Sequence, residues 1–505
     1  MDDKAVVETS YGKVRGVREG NVYVWKGIPY AAPPVGRRRF LPPEPPEPWA
    51  GVRDASVFGK QAPQPEMRFS ASESSEDCLY LNVWSPAPDG KRRPVLFWIH
   101  GGAYFVGTSA NPIYSGRSFA GQGDVVLVSC NYRLGPLGFL QLAQFGGEDY
   151  AASGNCGTLD QIAALEWVRD NIGQFGGDPD NVTIFGQSSG AGSVSVLLSS
   201  PRAKGLFRKA IVQSWSTSST GSIEFAEGVT DRLLRALGME PGPFVMRKLL
   251  DMPAQQLANA TTKLPYVSIR PVEDGIVLPK APLDMIREGF IDGMPVMAGS
   301  TRDEYWRTAL MTPAFQGDNE EELVNYCAGE AGPFWEEVRE FYLHSAEAGA
   351  TLKERMKRLM TYHRYLYSMV KLTDTLARRK GGGPTWVYRF DWRSVANGGA
   401  LGACHGMELP FVFNTIDQPE AREMTGDSPE LAAVARQVHS AWIAFAHGGD
   451  PNCGALPEWS PYETETRPTM LLHAASGLAH DPDRAERTLW AEAERKLGIS
   501  HRPMG

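Results

Sequence analysis

Gly186-Gln187-Ser188-Ser189-Gly190 stands between an apolar extended run, Val182-Thr183-Ile184-Phe185, and a helix-compatible stretch over residues 191–198. A strand that turns sharply into a helix at G-x-S-x-G carries its serine on a strained elbow, with the hydroxyl exposed above the end of a sheet. Small flanking residues are required there, because bulk would clash as the backbone doubles back. Ser188 is therefore a candidate nucleophile. The pentapeptide alone also fits an ordinary tight turn; the strand before it and the helix after it favour the catalytic reading.

The flanking pattern supplies the fold. Pro94-Val95-Leu96-Phe97-Trp98-Ile99 and Val125-Val126-Leu127-Val128-Ser129-Cys130 are apolar runs of strand length, as expected where helices cover both faces of a sheet. An apolar face over residues 159–175 predicts a helix, stopped by Gly176-Gly177-Asp178-Pro179, and Ala210-Ile211-Val212-Gln213 reads as the next strand. This alternation predicts an α/β fold with a large, mostly parallel central sheet flanked by helices. Further strands are expected over 296–299 and 385–392, and a helix over 430–447 with Asp427 or Ser428 as cap and Pro429 in its first turn. Toward the N-terminus, residues 6–62 predict a small antiparallel sheet leading into an extended loop, and the serine-rich stretch from Lys60 to Glu76 predicts a mobile surface loop. Approximately 220–290 and 312–380 read as helical insertions that cover the site and wall its pocket. The whole chain, 1–505, is expected to be one catalytic domain.

A serine hydroxyl needs an imidazole to take its proton and a carboxylate to orient that imidazole, and in such sheets both follow the serine in the chain. Asp303 and Glu304 both follow the strand at 296–299, and position does not separate them. Of the eight histidines after the elbow, His405 stands out for its small neighbours Gly402, Ala403 and Gly406; the other seven remain alternatives. His439 falls in mid-helix, as a surface or packing residue, and His501 in a fraying tail. His100-Gly101-Gly102-Ala103-Tyr104, directly after a buried strand, fits either an oxyanion hole or a plain glycine turn.

Composition narrows the partners. Charged residues at 22% and the lack of any bilayer-length apolar run predict no membrane partner. A net charge of -8 argues against a nucleic-acid partner, since phosphates repel an acidic surface. Met1-Asp2-Asp3-Lys4 does not open a signal peptide, and six scattered cysteines show neither a C-x-x-C pair nor zinc spacing, so free thiols and a cytoplasmic location are expected.

Several separated stretches resemble the type-B carboxylesterase family, which includes cholinesterases and bacterial para-nitrobenzyl esterases. They are Gly27-Ile28-Pro29-Tyr30-Ala31, Glu76-Asp77-Cys78-Leu79-Tyr80-Leu81-Asn82, His100-Gly101-Gly102-Ala103, Asn131-Tyr132-Arg133, Phe175-Gly176-Gly177-Asp178-Pro179, the elbow, Arg302-Asp303-Glu304, and His405 with Glu408-Leu409-Pro410-Phe411. The resemblance covers about residues 7–467 and implies an α/β-hydrolase that cleaves carboxylic esters. It implies a triad of Ser188, Glu304 and His405, and an oxyanion hole from Gly102, Ala103 and the N–H of Ser189. It also implies structural pairs Arg39–Glu76 and Arg133–Asp160. A small-molecule ester as substrate, no metal or organic cofactor, and a monomer or small homo-oligomer follow from it. Gln187 and Ser189 depart from the usual glutamate and alanine, and Trp215 and Tyr305 stand where glycine is common, with Trp306 next. With Tyr104 and Phe105 these aromatics are candidate pocket residues; Trp215, Tyr305 and Trp306 either narrow the pocket or pack away from it. Two rivals stand beside the esterase: a carbamate or aryl-amide hydrolase with the same triad, and a non-catalytic binding protein on a retained fold.

Overall fold

The computed structural model describes residues 3–65, 73–265 and 268–498. Its sixteen strands begin with β1 (Val6–Thr9), β2 (Gly12–Arg15), β3 (Val17–Glu19), β4 (Val22–Pro29) and β5 (Val52–Asp54). The core strands follow as β6 (Tyr80–Ser85), β7 (Arg93–Ile99), β8 (Val126–Cys130), β9 (Gly177–Gln187) and β10 (Lys209–Gln213). After the short pair β11 (Gly221–Ser222) and β12 (Val272–Glu273) come β13 (Val296–Thr301), β14 (Thr385–Phe390), β15 (Pro468–Leu472) and β16 (Gly477–His480).

Eleven strands make one sheet in the order β16-β15-β14-β13-β10-β9-β7-β8-β6-β4-β3. The consecutive strands from β15 to β8 are parallel, and antiparallel strands finish both edges. This is the α/β-hydrolase arrangement. Side chains alternate across a strand, so an unbroken apolar run serves two cores. In β7, Val95, Phe97 and Ile99 enter one core with helix Cys156–Asn171; Leu96 and Trp98 enter the other with helix Leu431–Gly448.

Several boundaries differ from expectation. The N-terminal strands divide: β1, β2 and β5 form a separate sheet in which β5 runs parallel to β2, while β4 pairs with β6 on the large sheet. The helix expected over 159–175 begins at Cys156 and tightens into a 3-10 turn over Ile172–Phe175. The helix expected from 430 begins at Leu431, so Pro429 precedes it, and the Ser428 hydroxyl accepts from the Glu430 N–H at 3.3 Å. A further amphipathic helix, Arg484–Leu497, lies beyond the expected elements. Of the loop expected between Lys60 and Glu76, residues 66–72 lie outside the described residues, as does His501; Gln61 and Ser74 on the flanks form an isolated bridge. No helix among the described residues is long and apolar enough to cross a membrane.

Arg39 holds Glu76 through two hydrogen bonds of 2.7 and 2.6 Å, and Arg133 holds Asp160 through two of 2.8 and 2.7 Å. All six cysteines are free, and Cys78 is buried.

Candidate active site

The carboxyl ends of parallel strands are where such sheets place their ligands, and three strands converge there. β9 ends at Gln187, helix Ser189–Leu197 begins two residues later, and Ser188 between them holds φ 60° and ψ -125°, a region that costs a non-glycine residue strain. A Cβ on Gly190 would lie 2.2 Å from the Ile99 carbonyl oxygen, so the helix packs onto β7 at a distance only glycine permits. β7 runs into the second loop. A Cβ on Gly101 would fall 3.1 Å from that of Ser188, which puts this loop directly against the elbow. Gly102, Ala103 and Tyr104 all take positive φ, and among the described residues the N–H groups of Gly102, Ala103 and Ser189 have no intramolecular acceptor. Three free donors beside a serine are available to an anionic oxygen.

β13 delivers the acid. Glu304 is fully buried; its Oε1 accepts from the Thr301 N–H at 2.9 Å and its Oε2 meets His405 Nδ1 at 2.5 Å. Asp303 points elsewhere, accepting from the Ala403 N–H at 2.9 Å beside Arg393 at 3.4 Å. The Glu304 carbonyl takes the His405 N–H, so the two loops are fastened by backbone as well as side chain. His405 Nε2 lies 3.1 Å from Gln187 Nε2. An amide nitrogen only donates, so the imidazole Nε2 accepts and its proton sits on Nδ1, facing Glu304. Among the described residues Ser188 Oγ makes no hydrogen bond to His405; Gln187, its chain neighbour, holds that position. The Tyr365 ring packs over His405 at 4.8 Å.

Among the described residues, the other histidines have no carboxylate on one ring nitrogen and an amide on the other. Burial pushes His100 down to about 4, with its Nδ1 turned to the Gly101 carbonyl. His363 is also pushed down to about 4, by burial and then by Arg364, and its ring packs on Trp490. His439 is a packing residue against the Val412 carbonyl and Phe119.

Ser188, Ser189, Ala103 and Tyr104 line a cavity of about 520 Å³. Its other walls come from helix Ile223–Ala236, from Arg270 ahead of β12, from the π-helical turn Tyr362–Leu366 and from helix Arg484–Leu497. The remaining aromatic candidates are not in its lining. Trp215 is buried, with its indole N–H on Ser195 Oγ at 2.9 Å; Tyr305 bonds the Tyr326 hydroxyl and packs on Phe315; Trp306 joins the core beneath the sheet; Phe105 also lies outside the wall. Position next to the elbow or acid did not put these rings in the cavity: those of Trp215, Tyr305 and Trp306 pack into the cores, and that of Phe105 is half-buried. Gln187, Tyr365 and Arg270 were not read from sequence as site residues. Of these three only Gln187 carried a signal, as one of the two departures in the elbow.

The carboxylesterase family model matches residues 3–490. A para-nitrobenzyl esterase of Bacillus subtilis (strain 168) is 40% identical, over 95% of this chain and 97% of its own. Phenmedipham hydrolase of Pseudarthrobacter oxydans is 34% identical, over 94% and 96%. The crystal structure of a Geobacillus stearothermophilus carboxylesterase superposes with a TM-score of 0.89 at 47% identity, covering 96% of this chain and all of that one. The chain belongs to the carboxylesterase family, in its type-B, para-nitrobenzyl-esterase-like group, and is an ester-hydrolysing enzyme.

Proposed function

We propose that the chain hydrolyses carboxylic esters through an acyl-enzyme formed on Ser188, with His405 as proton carrier, Glu304 as its orienting carboxylate, and the N–H groups of Gly102, Ala103 and Ser189 as oxyanion hole. The observation that carries the reading is the 2.5 Å contact between His405 Nδ1 and the buried Glu304 carboxylate beside the elbow. With the ring proton held on Nδ1, Nε2 keeps the lone pair that a general base needs. For proton transfer Ser188 Oγ replaces the Gln187 amide at Nε2, a rearrangement of the kind that substrate binding produces. The imidazolium then forms against Glu304, and the tetrahedral oxyanion forms against the three donors, each worth about 3 kcal/mol to the transition state. His405 returns its proton to the leaving alcohol, and water cleaves the acyl-enzyme by the same steps.

Gln187, where the family usually carries glutamate, and the similarity to phenmedipham hydrolase favour a second reading, a carbamate or aryl-amide hydrolase on the same residues. Stopped-flow hydrolysis of a short para-nitrophenyl ester, beside an aryl carbamate, tests both. Wild type is expected to show a burst on the ester, and Ser188→Ala to lose at least roughly 10³-fold in kcat. Full activity in Ser188→Ala would refute the elbow as nucleophile, and a carbamate rate above the ester rate would favour the second reading.

A further inference from the structure

The cavity at the elbow carries an excess of positive charge. Its lining holds Arg232, Arg270, Arg364 and Lys371 against a single acid, Glu330. Arg364 is paired with that Glu330 and Lys371 with Glu494, so both are neutralised. Arg270 is not. It is 8% exposed, its Nη1 donates to the Ser218 carbonyl at 2.7 Å, and its Nε meets no acceptor among the described residues. Its guanidinium carbon lies 4.1 Å from the Phe225 ring centroid, and that of Arg232, on helix Ile223–Ala236, lies 6.0 Å from the same ring. Neither arginine forms an ion pair among the described residues. The acid that acts on Arg270, Glu273, is engaged by the Thr220 hydroxyl at 2.8 Å.

A buried charge without a counter-charge is expensive, and folds pair or neutralise such groups. Burial lowers the Arg270 pKa to about 10, which still leaves a full positive charge at neutral pH. The ring of Phe225 and one carbonyl compensate it in part. The missing element is an anion, and the open side of the group is the cavity that also exposes Ser188. The hydroxyl-bearing Ser218, Ser219 and Ser268 line the same cavity and offer further hydrogen bonds to it.

We propose that Arg270, assisted by Arg232, forms an anion subsite in this cavity, and that the substrate is an ester carrying a carboxylate away from the bond that is cleaved, such as a monoester of a dicarboxylic acid. The proposal rests on Ser188 as nucleophile for its placement of the reacting bond, and on the unpaired buried guanidinium for its charge. Arg270 here is a specificity-determining residue.

The test compares para-nitrophenyl butyrate with mono-para-nitrophenyl glutarate, in wild type, Arg270→Gln and Arg270→Lys. It adds calorimetric binding of glutarate to Ser188→Ala with and without Arg270→Gln. The expected result is a loss of roughly tenfold or more in kcat/KM for the glutarate ester in Arg270→Gln, carried by KM. Turnover of the butyrate should change by less than about threefold, and Arg270→Lys should recover part of the loss. Raising ionic strength from about 0.05 to 0.5 M should weaken only the anionic ester, a readout that needs no variant. Equal losses on both esters, or glutarate binding that ignores Arg270, would overturn the proposal. If butyrate is turned over and glutarate is not bound, the esterase reading stands and the subsite fails. If glutarate binding depends on Arg270 while Ser188→Ala keeps wild-type turnover, the subsite stands and the nucleophile assignment fails.

Discussion

At the scale of single residues, Asp303 and Glu304 are chain neighbours with one chemistry and opposite surroundings. Glu304 is fully buried with its carboxylate on His405, whereas Asp303 holds the Ala403 N–H and faces Arg393. Glu304→Gln keeps the shape but presents an amide that cannot stabilise an imidazolium. It is expected to lower kcat by roughly 10³ to 10⁴-fold. Asp303→Asn retains an acceptor for Ala403 and should cost less than about tenfold. Steady-state kinetics on a para-nitrophenyl ester read both; equal losses would remove the distinction. Gln187 gives a second test at this scale. Its amide touches His405 Nε2, so Gln187→Glu puts an anion beside the ring and favours its protonated form. The acid limb of the kcat/KM profile should move to higher pH, while Gln187→Leu should leave no such displacement.

At the scale of elements, the junction of β7, β9 and helix Ser189–Leu197 is set by backbone approach. Gly190→Ala would drive a methyl group to 2.2 Å from the Ile99 carbonyl oxygen, where no flexible side chain can yield. Loss of about 3 kcal/mol or more is expected, read from the midpoint of urea unfolding; an unchanged midpoint would mean that the helix can shift. Arg133 and Asp160 tie the loop after β8 to helix Cys156–Asn171, at 3% and 0% exposure. Asp160→Asn strands a buried guanidinium and should cost about 3 to 5 kcal/mol. These elements were legible in the sequence because each has a local signature. Apolar runs of strand length marked β7, β8 and β10, and the glycines marked the elbow. β1 and β2 pair antiparallel as expected, but the rest of the N-terminal pairing escaped because partners are not a local property: the apolar run Val22–Trp25 marks a strand, but not that its neighbour is β6, some fifty residues on.

At the scale of the whole molecule, the cavity was the least legible part. Its walls come from points as distant as Phe225, Arg270, Tyr365 and Trp490, and amphipathic periodicity reports that a helix face is covered, not whether core or cavity covers it. The same is true of a buried acid that periodicity could not weigh. Glu408, 1% exposed, is pushed up to about 7 by burial and then by the neighbouring Glu304 charge; Gln213 donates to its Oε1 at 3.2 Å. In the unfolded chain this group loses its proton near 4.5. Between 4.5 and about 7 the folded protein therefore holds a proton that the unfolded chain does not, and raising the pH removes stability. The contribution is fully present below 4.5 and fully lost above about 7. Glu408→Gln cannot titrate, and subtracting its unfolding free energy from that of wild type cancels the other acids. The difference should favour wild type more at pH 5 than at pH 8, by urea unfolding at both values, and a pH-independent difference would mean that Glu408 is ionised throughout.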